Sequence, residues 1–321
     1  MSTEFLSLSE EPEFTSEFAY LYKKGGKNPD LSQQERRDLI LQEQKEKRHN
    51  LVDQHRDFTD IFLDNDEDVP EESDMDVDAQ RPKRKKDKFH LMFSEYLTDI
   101  PDDLEENWLV KIVPNGCRAL VLAKGQQTMV FGRKGKLLNL RTHLPGGGLH
   151  KGVGITALDC IFNKSMKTIF VLDCMFWNTM SMINSETTFR FYWIRNQFSE
   201  NPKFLETNKP YKFYLLDFYP AQKSLIQDKI FQEIFISDKK VLYSGVTFYH
   251  KEVQYAFRQT PLMCWLYSYM LPEKLGVDVP QELMDKMPKK YENLEKFLKF
   301  KEEFRKNRPK NQPEKIEMDT T

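Results

Sequence analysis

Between Phe89 and Leu275 the chain carries a succession of short runs dense in β-branched and aromatic residues: WLVKIV, RALVLA, TMVF, TALDCIF, TIFVLDCMF, TFRFYWI, YKFYLLDF and KVLYSGVTFYH. Runs of this length and composition, bounded by turn signals, read as strands. The signals here include Pro114-Asn115-Gly116 and the glycine run Leu144-Pro145-Gly146-Gly147-Gly148. In Thr188 to Ile194, Phe189, Phe191 and Trp193 alternate with Arg190, Tyr192 and Ile194, the two-residue period of a half-buried strand. SLIQDKIFQEIF has the helical period instead. The expected fold class is α+β, with mainly antiparallel sheets.

Composition locates the folded unit. Charged residues are 31% of the 321-residue chain but crowd its two ends, whereas the central stretch is long enough to bury a core. A net charge of −2 excludes a uniformly basic nucleic-acid binder, since phosphate affinity needs a surplus of Lys and Arg on the contacting face. Any anion site must therefore be local. The four cysteines (Cys117, Cys160, Cys174, Cys264) form no CxxC pair, so neither a zinc site nor a disulfide framework is expected. The N-terminal MSTEFLSLSEEPEF lacks a positive region and a sustained apolar run, and a soluble intracellular protein is expected.

Five segments follow. Residues 1–17 are acidic, with scattered Phe5, Leu6, Leu8 and Phe14, and are expected to be disordered when free or gripped through those anchors by an export partner. In residues 18–62, Ser32 and Glu35 form an S-x-x-E capping box that starts a helix from about Gln33 to Phe58. That helix is polar nearly all round, which predicts a solvated or partner-bound element. Its cations, Arg36, Arg37, Lys45, Lys47, Arg48 and Arg56, follow Lys23, Lys24 and Lys27. They read equally as a salt-bridged surface or as a ligand for an acidic groove. Residues 63–88 are an acidic linker ending in the basic block RPKRKKDK, which could be a nuclear localisation signal or pair with the acidic run. Residues 89–282 are the sheet-rich domain. Residues 283–321 are a charged tail in which Tyr291, Leu294, Phe297, Leu298 and Phe304 have helical spacing.

Catalytic signatures are missing. The sequence holds no GxxxxGK[ST], strand-linked GxGxxG, HExxH or GxSxG, and the LPGGG run reads as a flexible loop. What stands out is a scattered set: Phe93-Ser94-Glu95-Tyr96, Gly116-Cys117-Arg118, the basic turn Gly132-Arg133-Lys134-Gly135, and Trp265 within TPLMCWLYSYM. Cations supply charge-assisted donors for phosphates, and aromatics supply stacking surfaces for bases. Singly, each aromatic reads as readily as core.

The stretches LSQQERRDLILQEQKEKR, MDVD, FSEYLTDIP, PNGCRALVLA, LPGG, LDCIFN with VLDCMFW, TTFRFYW, LYSGVTFYHK and TPLMCWLYSYM, in that order over about residues 18–280, resemble the snurportin family of import adaptors. The resemblance implies a domain that binds the 2,2,7-trimethylguanosine cap of small nuclear RNA in spliceosomal ribonucleoproteins. It also implies a helical segment wrapped by the acidic inner surface of importin beta, and contact of the first residues with a recycling exportin. By the same resemblance Trp265 stacks on the cationic methylated base. Phe93, Ser94 and Tyr96 meet the base edge, Gly116, Cys117 and Arg118 open the phosphate-side strand, and Arg118 with Arg133 or Lys134 holds the triphosphate. Lys23, Lys24, Lys27, Arg36, Arg37, Lys45, Lys47 and Arg48 serve importin. Tyr96 stands where the family usually has Trp, Cys117 where it has Lys, and Asp38 interrupts an expected Arg run.

The central domain more distantly resembles the nucleotidyltransferase fold of messenger-RNA capping enzymes, which leaves a guanylyl-transfer enzyme as the rival reading. That chemistry uses a lysine in KxDG, a carboxylate in LDGE and lysines around a Trp. The matching stretches here are Cys117-Arg118-Ala119-Leu120, Leu158-Asp159-Cys160-Ile161 and Cys264-Trp265-Leu266. The expectation is a binding protein without catalytic residues, cofactor or metal, shuttling between nucleus and cytoplasm.

Overall fold

The computed structural model describes residues 31–47, 91–149 and 153–306. Helix α1 spans Gln33–Lys47 and α2 Leu104–Asn107. The strands are β1 Phe93–Tyr96, β2 Trp108–Pro114, β3 Cys117–Lys124, β4 Gln127–Gly132, β5 Gly135–Leu140, β6 Thr156–Asn163, β7 Thr168–Trp177, β8 Met180–Ser181, β9 Lys212–Leu215, β10 Tyr219–Pro220, β11 Phe235–Ile236, β12 Lys239–Lys240, β13 Tyr243–His250 and β14 Gln259–Tyr267. The later helices are α3 Thr187–Glu200, α4 Lys223–Phe231, α5 Leu271–Leu275, α6 Gln281–Met284 and α7 Leu294–Lys306.

Two sheets carry the fold. One runs β1-β14-β13-β2-β10, and the other runs β5-β4-β3-β6-β7-β8 with β9 beside β7. Only the β1–β14 and β7–β9 pairings among these are parallel, so the mainly antiparallel α+β expectation holds. Alternation along each strand distributes its side chains to two faces. Leu120 and Leu122 of β3 join Leu109, Tyr249 and Met263 in a cluster between the sheets. Ala119, Val121 and Ala123 of the same strand face the other way, toward Ile194 and Phe198 of α3. The opposite side of the first sheet gathers Trp108, Val110, Phe248, Cys264 and Leu266 with Ile226, Leu271, Leu294 and Leu298.

Four expectations are corrected. TFRFYWI, read as a strand, lies in the first turns of α3, whose buried positions Thr187, Arg190, Phe191, Ile194 and Phe198 follow the helical period. Tertiary packing overrode strand propensity there. Arg190 is wholly buried and grips Asp173 of β7 through two hydrogen bonds of 2.9 Å. The LPGGG segment is tightly built. Gly146 has φ +85°, and a Cβ there would lie 2.1 Å from the Gly154 carbonyl oxygen, so the backbone passes where no side chain fits. Finally, α1 packs on the domain, although it has no apolar stripe. Packing also continues past residue 282, with Leu283, Leu294 and Leu298 all buried.

Candidate cap-binding site

Parallel pairing of β1 with β14 places Tyr96 opposite Trp265, Glu95 opposite Cys264 and Ser94 opposite Thr260. The pairing slips by a bulge between Ser94 and Glu95, which re-aims the strand at the point where its side chains begin to diverge in burial. Glu95 is buried, Ser94 and Tyr96 are half-buried, and Phe93 is 42% exposed. Trp265 and Tyr267 meet edge to face at 5.6 Å, and Tyr96 lies 6.3 Å from Tyr267. The three rings form a continuous half-buried aromatic surface on the two neighbouring strands.

Gly245 of β13 lets the indole lie close against the sheet. A Cβ at that position would stand 2.7 Å from Cζ2 of Trp265 and 2.2 Å from the Leu266 carbonyl oxygen. The indole therefore lies across a strand position that only hydrogen can occupy. Sequence reasoning passed over Gly245, although a glycine inside the strand-like LYSGVTFYH was a signal of close approach.

The cationic side comes from the second sheet. Arg118 of β3 binds Asp159 of β6 through two hydrogen bonds of 2.5 Å and donates to the Met92 carbonyl oxygen at 3.2 Å. Tyr255 donates to the same Asp159 carboxylate at 2.7 Å and accepts from the Met92 amide at 3.1 Å. Both main-chain groups of the residue preceding β1 are thus tied to one buried carboxylate network. Arg118 anchors the strand that carries Phe93, Ser94 and Tyr96, and Asp159 offsets its charge. Tyr255 is a second residue that sequence reasoning missed.

Arg133 and Lys134 form the exposed two-residue turn between β4 and β5. Ala119 pairs with Gly132, so Arg133 follows at the step where Arg118 precedes, and the turn stands beside Arg118. Gly116 has φ +156°, and a Cβ there would lie 2.5 Å from Ile161 and 2.8 Å from the Phe162 carbonyl oxygen. It is a packing position. Cys117 is not brought to the arginine side: strand alternation turns it to the opposite face, where Sγ lies 3.6 Å from the Phe162 carbonyl oxygen. Partial burial raises its thiol pKa.

Helix α7 closes one flank of the aromatic surface. Phe297 meets Tyr96 edge to face at 5.8 Å, and Lys301 Nζ stands 5.0 Å from the Tyr96 ring centre while donating to its hydroxyl at 2.7 Å. Crowding by these rings lowers the Lys301 pKa. The helix is held at its start by Glu273, which accepts from the Leu294 amide at 3.0 Å and from Tyr291 at 2.5 Å.

Helix α1 approaches the same strand from the Glu95 side. Its capping box forms as expected, with Ser32 N donating to Glu35 at 2.7 Å and Glu35 N to Ser32 Oγ at 3.2 Å. Arg36 makes bonds of 2.5 and 2.8 Å to the two Glu95 oxygens. Arg37 is 1% exposed, donates to the carbonyls of Pro261 and Asp99 and lies 5.2 Å over the Trp108 ring. Lys45 reaches Glu252 at 3.6 Å, and Lys47 reaches Glu43 of its own helix at 3.7 Å. Lys23, Lys24, Lys27 and Arg48, the tail 1–17, the linker 63–88 with its basic block, and the helix expected beyond Lys47 lie outside the described residues.

Two family models match separate stretches of the chain. The family described as "Snurportin1, m3G cap-binding domain" matches residues 90–268, more than half of the chain. The family described as "Snurportin1" matches residues 20–57. Among solved structures, the ligase domain of M. tuberculosis LigD is similar at 10% identity and a TM-score of 0.38, covering 57% of this chain and 60% of that one. Chlorella virus DNA ligase-adenylate is similar at 14% identity and a TM-score of 0.35, covering 54% and 65% respectively. The chain thus spans about three fifths of the length of these ligase structures. The two family matches fall on the aromatic and cationic domain and on the capped basic helix, and by them this chain belongs to the snurportin family.

Proposed function

We propose that the protein binds the 2,2,7-trimethylguanosine cap of small nuclear RNA against the Trp265–Tyr267–Tyr96 surface and carries the ribonucleoprotein to importin beta. The single observation behind the site assignment is the register of β1 on β14, which sets Tyr96 beside a half-buried Trp265. Methylation at N7 makes the base a cation, for which an indole face is the preferred aromatic partner. Methylation at N2 removes donors and adds apolar bulk, which suits the exposed Phe93 and the Tyr96 ring. Arg133 and Lys134 supply charge for the triphosphate, and Arg118 holds the wall between base and phosphates.

The same reading makes the site one of binding without transfer. Where a guanylyltransferase holds its lysine nucleophile, this strand begins Cys117-Arg118, with the arginine engaged by Asp159. Residues 1–17 are assigned to a recycling exportin, which would make the protein a shuttle between nucleus and cytoplasm.

The test is a competition titration of the full chain with trimethylated and monomethylated cap analogues, alongside Trp265→Ala. Preference for the trimethylated analogue, lost with the indole, supports the reading. Equal affinities would remove the claimed specificity, and a covalent lysyl-GMP adduct formed with labelled GTP and Mg²⁺ would convert the protein into an enzyme.

A further inference from the structure

Two of the three rings of the site, Tyr96 and Tyr267, belong to a closed circuit of five. Tyr96 lies 6.3 Å from Tyr267, Tyr267 stacks on Tyr269 at 5.3 Å with the planes 5° apart, and Tyr269 meets Tyr291 edge to face at 5.0 Å. Tyr291 meets Phe297 at 5.8 Å, and Phe297 returns to Tyr96 at 5.8 Å. The circuit is fastened at two points. The Tyr291 hydroxyl donates to Glu273, whose carboxylate also accepts from the Leu294 amide at the start of α7. At Tyr96 the Lys301 ammonium of α7 donates to the hydroxyl at 2.7 Å. Because Nζ is also 5.0 Å from the ring centre, it stands off the hydroxyl end of the ring rather than over its face. Burial raises the Tyr267 pKa and a hydrogen bond with the Tyr96 side chain opposes the rise, which makes Tyr96 the donor and Tyr267 the acceptor. One chain of hydrogen bonds therefore runs from Lys301 through Tyr96 to Tyr267, and a charged donor at its head strengthens the bond that follows. Tyr267 in turn meets Trp265 edge to face at 5.6 Å.

The ring at the head of this chain needs such an anchor. β1 ends its sheet and pairs with β14 alone, so backbone pairing holds Tyr96 from one side only, and a binding ring keeps its angle when its neighbours lock it. We infer that Lys301 is a positioning residue of the cap site: from α7, through the Tyr96 hydroxyl, it fixes the Tyr96 and Tyr267 rings at the angle the methylated base meets. The inference rests on the cap reading of the Trp265 surface. It extends the working site well past residue 268, where the cap-binding family match ends. Acting through Tyr96 also suits the charges. An N7-methylated base is itself a cation and repels an ammonium in direct contact, whereas the Tyr96 hydroxyl takes up the ammonium at the end of the ring.

The test compares wild type, Lys301→Met, Lys301→Arg, Tyr96→Phe and the double variant Lys301→Met/Tyr96→Phe, each as the full chain. All are titrated with 2,2,7-trimethylguanosine nucleoside and with its 5′–5′ triphosphate dinucleotide. Lys301→Met and Tyr96→Phe are each expected to weaken both ligands roughly fivefold, the scale of one hydrogen bond at a partly exposed site. The double variant should bind no more weakly than either single one, because both changes remove the same bond. Lys301→Arg keeps a charged donor and should retain most of the affinity. Weakening confined to the triphosphate ligand, with a lower salt slope, would overturn the positioning role and make Lys301 a phosphate contact. Additive losses in the double variant, or wild-type affinity in Lys301→Met, would also overturn it. In each of those cases, binding by wild type that is lost with Trp265→Ala leaves the cap reading standing. Failure of wild type to bind either ligand would remove the cap reading and this inference with it.

Discussion

Tyr96 and Trp265 face each other across neighbouring parallel strands, yet they are 169 positions apart in the chain. Stacking on such a surface contributes roughly 1–3 kcal/mol per base. Trp265→Ala is therefore expected to weaken cap binding by roughly 5- to 150-fold while the half-buried position keeps the domain folded. Fluorescence or calorimetric titration, with circular dichroism as the fold control, decides it. Unchanged affinity would move the base elsewhere.

Gly245→Ala is expected to damage the same surface from behind. The new methyl group would meet the indole and the Leu266 carbonyl inside van der Waals contact, so the ring must tilt or the strands must part. Overpacking of this kind costs about 1–3 kcal/mol. Loss of both cap affinity and melting temperature is expected; a variant with wild-type values for both would show that the strand accommodates the methyl group.

The two arginines proposed to lie toward the triphosphate should behave differently. Arg133→Ala, at an exposed turn, is expected to lower the slope of log affinity against log salt for a capped oligoribonucleotide by about 0.7. Arg118→Ala leaves the Asp159 carboxylate, 1% exposed, without its bidentate partner. Breaking such a pair costs about 3–5 kcal/mol, so its main signature should be a lowered melting temperature. If Arg118→Ala changed only the salt slope, the anchoring role assigned to it would be wrong.

Lys111 should set the slope of the stability profile just above neutral pH. It is wholly enclosed between the sheets, 4.0 Å from the Phe191 ring, and donates to the Leu216 carbonyl oxygen at 3.1 Å. Burial lowers its pKa from 10.5 to about 7. Between those values the unfolded chain holds a proton that the folded one has released, so stability rises with pH over that interval. The cost is present in full below the folded value and fades as pH climbs through the unfolded one. Lys111→Met should stabilise the protein at pH 7 by on the order of 2 to 4 kcal/mol and flatten the rise from pH 7 to about pH 8.5, below the range where the buried thiols of Cys160, Cys174 and Cys264, raised by burial, act with the opposite sign. Chemical denaturation at both pH values checks this, and an equally steep rise in the variant would point to another group.

Much of the sheet architecture was legible because strands such as WLVKIV and TALDCIF are dense in residues that pack a pleated, half-buried surface. Thr188 to Ile194 misled because Phe189, Phe191 and Trp193 alternate as in a strand, while the positions that bury, Arg190, Phe191, Ile194 and Phe198, follow a helix. The decisive partner, Asp173, lies 17 positions away. Helix α1 misled for a related reason. A search for apolar stripes cannot detect a face that docks through Gln33 and Arg37, since its burial depends on a carboxylate and carbonyls more than fifty positions distant. Of the candidate site, Trp265 and Tyr96 were named from the sequence, and strand alternation alone would have separated Cys117 from Arg118. The anchoring by Asp159 and Tyr255 needed the register of β3 on β6.

The clasp of Arg36 and Arg37 on the domain joins two parts of one molecule, and this gives it an unusual concentration dependence. Diluting the protein does not open it, because helix and cleft are delivered to each other by the connecting chain. An external receptor must arrive by diffusion, so the open fraction rises only with the amount of receptor present. The closed form would therefore persist at any abundance of the protein itself, until a ligand that takes up those two side chains or their cleft is present.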